Sequence, residues 1–176
     1  AIELGHIFQL GTRYSDAMKA NFIDNEGKEK PYYMGCYGIG VSRMLAAIYE
    51  LSIIKNNQGV IEGISLPYIV APFKIQIIAK MDNNEKVRAA NNLYKTLEKA
   101  GIQTLLDDRE NLNFGARIRD AKVLGTPYLA IFGEKAENGY VEVEETKTGK
   151  KEIMKIDELV KKITKHCLLY TSDAAD

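Results

Sequence analysis

The pattern of apolar and polar residues predicts an antiparallel β unit in the first part of the chain. Residues 5–11, GHIFQLG, alternate as a strand does, and residues 20–40 predict two strands joined by a turn at Asn25-Glu26-Gly27. After the glycine-rich end of that stretch the period changes, because apolar residues recur at helical spacing: Val41, Met44, Leu45, Ile48 and Leu51. We therefore expect a strand that runs directly into an amphipathic helix.

The second part of the chain alternates strands with helices. The predicted order is strand 74–80, helix 84–101, strand 102–108, helix 114–125 and strand 127–133. Helical crossovers place neighbouring strands parallel, so this order favours a layered α/β sheet. A hairpin at 139–156 with its turn at Thr148-Gly149, followed by a helix at 157–166 capped by Asp157, completes the predicted mixed sheet.

A change in composition separates the two parts. Residues 55–73 are rich in Gly, Asn and Pro, which is typical of a connector, and we place the domain boundary between residues 66 and 67. The second domain is expected to end at residue 166. Residues 167–176, CLLYTSDAAD, share no periodicity with the helix before them and resemble the translation of a sequencing adaptor, so we expect a non-native tail without function.

The overall composition is that of a soluble globular protein. The 176 residues are 45% hydrophobic and 27% charged, and the formal net charge is zero. No apolar run approaches the roughly 18 residues that span a bilayer, and the N-terminus lacks the layout of a signal peptide, so a cytoplasmic protein without a membrane partner is expected. Residues 1–66 hold 6 Lys and Arg against 7 Asp and Glu, and residues 67–166 hold 18 against 15. The second part is mildly basic, which weakly indicates an anionic partner.

The few cysteines and histidines predict no metal site. Cys36 and Cys167 lie in unlike contexts, and His6 and His166 are equally far apart, so none of them has the spacing of zinc ligands. No metal ligands are therefore expected.

The stretch GCYGIGVSR, residues 35–43, carries the most specific chemistry. It predicts a strand-to-helix element with one fixed positive charge, Arg43, beside glycines that allow another group to approach the backbone closely. It is neither a P-loop nor a dinucleotide-binding fingerprint. From the residues alone, a structural arginine on a glycine-kinked strand and an arginine that binds a phosphate or a base remain equal alternatives.

Several separated motifs resemble one family. GHIFQLGTRYSDAMKA followed by MGCYGIGVSRMLAA resembles the end of the catalytic domain of bacterial-type prolyl-tRNA synthetases, with GCYGIGVSR similar to class II motif 3. APFKIQIIA and LLDDRENLNFGARIRDAKVLGTPYLAIFG are similar to the anticodon-binding domain that follows. The resemblance covers residues 1–166. It implies part of a class II antiparallel sheet with the motif 3 helix, then a layered α/β anticodon-binding domain with a mixed sheet.

The resemblance implies a proline–tRNA ligase reaction. ATP, accompanied by Mg²⁺ as substrate, would activate L-proline as an adenylate, the prolyl group would pass to tRNA(Pro), and no tightly bound cofactor is expected. Arg43 would be the catalytic and ATP-binding residue, and Gly38 and Gly40 would form the ATP-binding floor. His6, Phe8 and Cys36 would line the proline pocket, although His6 is equally well interpreted as a structural histidine. Thr12, Tyr14 and Ser15 belong to the family pattern, or simply cap a short helix.

The resemblance also places anticodon recognition on the second domain. The segment LLDDREN ends a strand at the carboxyl edge of the predicted sheet, where α/β folds commonly bind ligands. The candidate anticodon-binding residues are Asp107, Asp108, Arg109 and Arg117. The alternative is a solvated ion pair between Asp108 and a nearby arginine. Phe114 stands where many relatives carry proline, which affects the expected placement of Arg117.

Other functions remain open at this stage. A stand-alone RNA-binding module would need only the second domain, and a class II synthetase for threonine, glycine or histidine would share the same C-terminal domain type. The resemblance implies a homodimeric parent enzyme. Since motifs 1 and 2 are not found in this sequence, the isolated chain is expected to be inactive in aminoacylation.

Overall fold

The computed structural model describes residues 1–137 and 139–172, with side chains described up to residue 165. Backbone contacts divide the chain into two compact units, Ala1–Ile48 and a larger one that begins at Tyr49. None of the helices in the described part of the chain is long and apolar enough to cross a membrane.

The first unit is built around a two-stranded antiparallel ribbon. Its elements in chain order are β1 (Gly5–Gly11), α1 (Arg13–Met18), β2 (Asn21–Ile23), β3 (Glu29–Pro31), β4 (Met34–Ile39) and α2 (Val41–Leu51), which runs on into the second unit. Strand β1 pairs with β4, and β2 pairs with β3. The predicted strand at 5–11 and the helix from Val41 are confirmed.

The predicted turn at residues 25–27 is confirmed, and its chemistry explains why it forms. The Asp24 carboxylate accepts hydrogen bonds from the backbone N–H groups of Glu26 and Lys28, and Gly27 adopts a φ of 76°. Helix α1 is fixed next to this hairpin because the buried Ser15 hydroxyl donates to the Tyr32 carbonyl at 2.6 Å. Ser15 thus has a structural role.

The second unit contains a five-stranded mixed sheet. Its elements are β5 (Ile53–Lys55), β6 (Ile61–Ile64), β7 (Ile75–Ala79), α3 (Asn84–Lys99), β8 (Thr104–Asp107), α4 (Phe114–Leu124), β9 (Tyr128–Phe132), β10 (Tyr140–Glu145), β11 (Lys150–Lys155) and α5 (Ile156–Ser172). The strand order is β11-β10-β9-β7-β8. Strand β7 is parallel to β8 and β9, whereas β10 is antiparallel to β9 and β11, so the predicted mixed sheet is confirmed.

Strand β7 divides the apolar core between the two faces of this sheet. Ile75, Ile77 and Ala79 pack on the side of α3 and α5, with Leu93, Leu97, Leu159 and Ile163 among the buried residues. Ile78 points to the opposite face and packs with Ala121 of α4, Leu129 and Ile131. Successive side chains of β7 point to opposite faces of the sheet, and both faces are buried. This stretch of the sequence is therefore almost continuously apolar.

Three expectations about the second unit need correction. The connector predicted at 55–73 contains the β5–β6 hairpin, because the Asn56 side chain accepts from the N–H groups of Gln58 and Val60 and Gly59 takes a positive φ. The last helix begins at Ile156, so Asp157 lies in its first turn and is not its cap. That helix continues to Ser172, past the expected end at 166, and residues 173–176 of the predicted tail lie outside the described residues.

Candidate functional site

The β1–β4 ribbon brings four of the predicted site residues onto one face. In its register His6 is opposite Gly38 and Phe8 is opposite Cys36. Since side chains two apart on a strand share a face, these four positions form one continuous patch. The His6 and Phe8 rings stack in parallel at 3.8 Å between centroids, and the Cys36 thiol is free and exposed.

The two glycines predicted to bind ATP, Gly38 in this patch and Gly40 just after β4, differ in what surrounds them. A Cβ built on Gly38 would meet no atom within 4 Å, so the space above the strand at this position is open. Gly40 is tighter, because a Cβ there would lie 3.4 Å from the Cβ of Arg43 and 3.6 Å from the Leu4 carbonyl oxygen. Both distances are ordinary van der Waals contacts, so nothing in the described residues requires glycine at position 40 or at position 38.

Arg43 lies in the first turn of α2, close to the end of the ribbon. Its Nη1 donates to the Glu3 carbonyl oxygen at 2.7 Å and lies 4.0 Å from the Glu3 carboxylate. The same carboxylate is 3.3 Å from Nδ1 of His6. About half of the Arg43 side chain stays exposed, at 53%. Glu3 thus contacts both the Arg43 and the His6 side chains, while the outer part of the guanidinium remains accessible.

Asp107, at the end of β8, is the centre of the predicted anticodon cluster. Its carboxylate is 3% exposed and is shared by two arginines, Arg109 and Arg117. Burial acts to raise the pKa of this carboxyl, but the hydrogen bonds from Arg109 and the charge and hydrogen bond of Arg117 outweigh it, so the pKa lies below its ordinary value. Asp107 is therefore an ionised, internally paired carboxylate.

Arg117 is an interior residue. Its side chain is 1% exposed; Nε donates to the Asp107 carboxylate at 3.0 Å, Nη1 donates to the Ala79 carbonyl at 2.8 Å, and Nη2 donates to the Asp107 carbonyl. These bonds tie the ends of β7 and β8 to α4. Phe114, at the start of that helix, packs against the same apolar cluster as Ile118, and the Asn113 side chain caps the helix by accepting from Ala116 N. The geometry gives Arg117 a structural role in place of the direct contact that the sequence suggested.

Arg109 lies at the surface with its hydrogen-bonding edges occupied. Nε and Nη2 donate to the Asp107 carboxylate at 3.1 and 2.8 Å, and Nη1 donates to Asp120 at 2.9 Å. These hydrogen bonds, donated to Asp107 as the larger cause and to Asp120 as the next, raise the pKa of Arg109 further above its already high value. The alternative interpretation, an ion pair between Asp108 and a nearby arginine, is not found among the described residues, because Arg109 pairs with Asp107 and Asp120. Asp108 keeps its carboxylate exposed.

A pocket of about 510 Å³ adjoins this cluster, and the sequence alone did not indicate it. Besides Asp107, Asp108 and Arg109, it is lined by residues of β7, β8 and α4: Gln76, Leu105, Leu106, Asp120, Val123 and Leu124. Gln76 is 1% exposed, and its side-chain oxygen has no hydrogen-bond partner within the described structure. In the sequence, Gln76 is the single polar residue in the apolar run IQIIA, which could have marked it as an unusual position but gives no sign of the pocket.

Both parts of the chain match known protein families. Residues 69–166 match the family described as anticodon binding domain, and residues 1–52 match the tRNA synthetase class II core domain (G, H, P, S and T). The chain belongs to the anticodon binding domain family. In this anticodon binding domain, the cluster around Asp107 and the pocket beside it lie at the carboxyl end of β8 and along α4.

Similar proteins and structures agree with this assignment. The chain is 47% identical over 163 residues to the proline–tRNA ligase of Aliarcobacter butzleri and 44% identical over 159 residues to that of Persephonella marina. These matches take in 92% and 90% of the chain but 28% and 27% of the relatives, so the chain spans just over a quarter of their length.

The fold is also that of solved synthetase structures. The crystal structure of prolyl-tRNA synthetase from Cryptosporidium parvum complexed with L-proline and AMP matches with a TM-score of 0.76 at 20% identity, covering 98% of this chain and 36% of that one. A second structure of the same protein, complexed with halofuginone and AMPPNP, matches with the same TM-score at 21% identity. The fold expected from the sequence is thereby confirmed.

Proposed function

We propose that the chain is part of a proline–tRNA ligase, in which residues 1–66 contribute to the catalytic domain and residues 67–166 bind the anticodon of tRNA(Pro). The observation that carries this proposal is the order of the two family matches, core then anticodon binding domain, together with relatives that are named proline–tRNA ligase along nearly the whole chain. The core match at 1–52 argues against a stand-alone RNA-binding module, which would not need it. The parent enzyme is proposed to be a cytoplasmic homodimer.

The proposed reaction has two steps. A carboxylate oxygen of L-proline attacks the α-phosphorus of ATP, the bond from that phosphorus to the bridging oxygen breaks, and pyrophosphate leaves with the bonding electrons. A hydroxyl of the terminal adenosine of tRNA(Pro) then attacks the prolyl carbonyl, AMP leaves, and the hydroxyl proton passes to solvent. Mg²⁺ would accompany ATP as part of the substrate.

The open face of the β1–β4 ribbon suits one side of such a site. The bare backbone at Gly38 leaves room for a ligand, and the stacked pair His6 and Phe8 with Cys36 provides a small, largely apolar wall for a pyrrolidine ring. Arg43, oriented by the Glu3 carbonyl, would present its free guanidinium edge to the phosphates and stabilise the charge that develops as pyrophosphate leaves. Losing one such preorganised group costs about 10²–10³ in rate.

Amino-acid-dependent exchange of pyrophosphate into ATP by the complete parent enzyme tests the catalytic part. We expect exchange with proline and none with threonine, glycine or histidine, and an Arg43→Ala variant should be slower by about 10²–10³. Exchange that depends on another of these amino acids would contradict the proline assignment. The isolated 176-residue chain should show no exchange, because an exposed two-stranded ribbon with one arginine does not enclose ATP.

Binding of the chain to a labelled tRNA(Pro) anticodon stem-loop, measured by fluorescence anisotropy, tests the second part. The affinity should exceed that for a stem-loop of the same length with an unrelated loop, and it should fall as salt increases. Arg109→Gln should weaken binding, whereas Arg88→Gln, an exposed arginine on α3 on the opposite side of the sheet, is the matched control and should not. Equal affinity for both loops would contradict anticodon recognition.

A further inference from the structure

The short segment before β1 is held at the corner where β4 runs into α2. The Leu4 carbonyl accepts a hydrogen bond from the Gly40 N–H at 2.8 Å, and the Glu3 carbonyl accepts one from Nη1 of Arg43 at 2.7 Å. These two bonds come from consecutive residues and are made to the same corner. The main chain of Glu3 is therefore fixed between the ribbon and the first turn of α2, and its side chain extends from a defined point.

The His6 ring, two residues further along the ribbon from Leu4, is restrained in two ways. It stacks on the Phe8 ring with 3.8 Å between centroids and 5° between the planes, which fixes the plane of the imidazole. Stacking alone leaves two orientations, because a half-turn about the Cβ–Cγ bond exchanges the ring edges within the same plane. The Glu3 carboxylate selects one of them, since its Oε2 lies 3.3 Å from Nδ1 of His6.

This contact at Nδ1 determines what the other ring nitrogen can do. An ionised carboxylate only accepts hydrogen bonds, so Nδ1 of His6 must carry a proton to donate to Glu3. In a neutral imidazole the second nitrogen is then an unprotonated acceptor, and here that atom is Nε2. Among the described residues none forms a hydrogen bond with Nε2. The His6 ring therefore has one nitrogen fixed by the protein and the other available to a ligand.

The exposure of these side chains argues against a role in stability. Glu3 is 62% exposed, His6 47% and Arg43 53%. Ion pairs and hydrogen bonds at such exposure contribute little to the free energy of unfolding. A fixed orientation is useful at a binding site, because a side chain that is already ordered loses less entropy when the ligand arrives. The contacts of Glu3 thus indicate a function in the site.

We propose that Glu3 is a positioning residue of the catalytic domain: its carboxylate holds His6 with Nε2 available as an acceptor for bound proline, while its main-chain carbonyl holds Arg43. The inference rests on the proposed ligase function and adds to it a residue that acts on the substrate through others. It also joins the two interpretations of His6, because a histidine bonded locally at Nδ1 still offers Nε2 to the substrate.

A double-mutant cycle in proline-dependent pyrophosphate exchange by the complete parent enzyme tests this role. We expect Glu3→Ala to raise the KM for proline about tenfold, near the value of one hydrogen bond, and to leave it unchanged in a His6→Ala background. The kcat should fall by no more than about threefold, because Arg43 keeps the Glu3 carbonyl. Glu3→Gln, which retains an acceptor oxygen for Nδ1, should restore most of the lost affinity.

Glu26→Ala is the matched control, since Glu26 is an exposed glutamate of the turn before β3 that pairs with Lys28, and it should change neither constant. A partly misfolded variant would lower kcat without raising the KM, so misfolding does not imitate the expected result. The inference is wrong if Glu3→Ala leaves the KM for proline unchanged, if the KM rises equally in the His6→Ala background, or if Glu3→Gln loses as much as Glu3→Ala. These outcomes leave the proposed function intact, whereas a parent enzyme without proline-dependent exchange overturns both.

Discussion

Replacing Arg117 by methionine should severely destabilise the second unit. The substitution keeps an unbranched apolar side chain at a site that is 1% exposed, but it removes three donated hydrogen bonds, to the Asp107 carboxylate, the Asp107 carbonyl and the Ala79 carbonyl. Breaking a buried ion pair from one side costs about 3–5 kcal/mol, because the remaining charge stays buried. Arg109 still pairs with that carboxylate, so we expect a loss near the lower end, about 3 kcal/mol.

Urea unfolding followed by far-UV circular dichroism measures this loss. With a urea dependence of about 1–3 kcal/mol per molar, the midpoint should fall by about 1–3 M. Arg88→Met, an exposed arginine on α3, is the control and should change the free energy of unfolding by less than about 0.5 kcal/mol. A loss below about 1 kcal/mol for Arg117→Met would refute the conclusion that Arg117 holds the ends of β7 and β8 to α4.

Three other predictions follow from single contacts. The pKa of Asp107 is lowered in the folded protein, so its ionised form stabilises the fold fully above the ordinary carboxyl pKa, and this stability is lost as the pH falls through the lower folded-state pKa. The difference in urea midpoint between the wild type and Asp107→Asn should therefore shrink in strong acid. A difference that stays constant with pH would contradict this prediction. Gln76→Leu should raise the free energy of unfolding by about 1 kcal/mol, read as a higher Tm by calorimetry, because it removes an unpaired buried acceptor; a lower Tm would argue against this. Gly63→Ala should destabilise by about 1–3 kcal/mol, since its Cβ would lie 2.8 Å from the Lys122 carbonyl oxygen, whereas Glu62→Ala at the exposed neighbouring position should be neutral in the same urea assay.

The elements of the second unit were predictable because their periodicity is strong. The short run IQIIA, rich in β-branched isoleucine, favours a strand, and the structure buries it on both faces. Gly125, with its φ of 78°, ends α4 as the sequence indicated. The β5–β6 hairpin was missed because Asn56 and Gly59, interpreted as connector residues, in fact form the turn of a hairpin that packs on α4.

The candidate sites were predictable only in part. The family motifs predicted His6, Phe8, Cys36 and Gly38 as site residues. The register of β1 and β4 then explained why these four positions share one face. Charged residues are mostly exposed, so Arg117 was expected at the surface; it lies inside because it is paired with the buried Asp107, and this pairing cannot be predicted from residue type. The Gln76 pocket depends on the space left between a helix and a sheet edge, which no single-sequence pattern encodes.

The exposed β1–β4 ribbon affects how the chain behaves at high concentration. Within the described part of the chain, each of its two strands has one unpaired edge, and large apolar side chains such as Ile7, Tyr37 and Ile39 are about 70–80% accessible. Free edges and apolar surface together template intermolecular strand pairing. During overproduction the first unit should therefore drive the protein into inclusion bodies, and a shortened chain that starts at Tyr49 should remain in the supernatant.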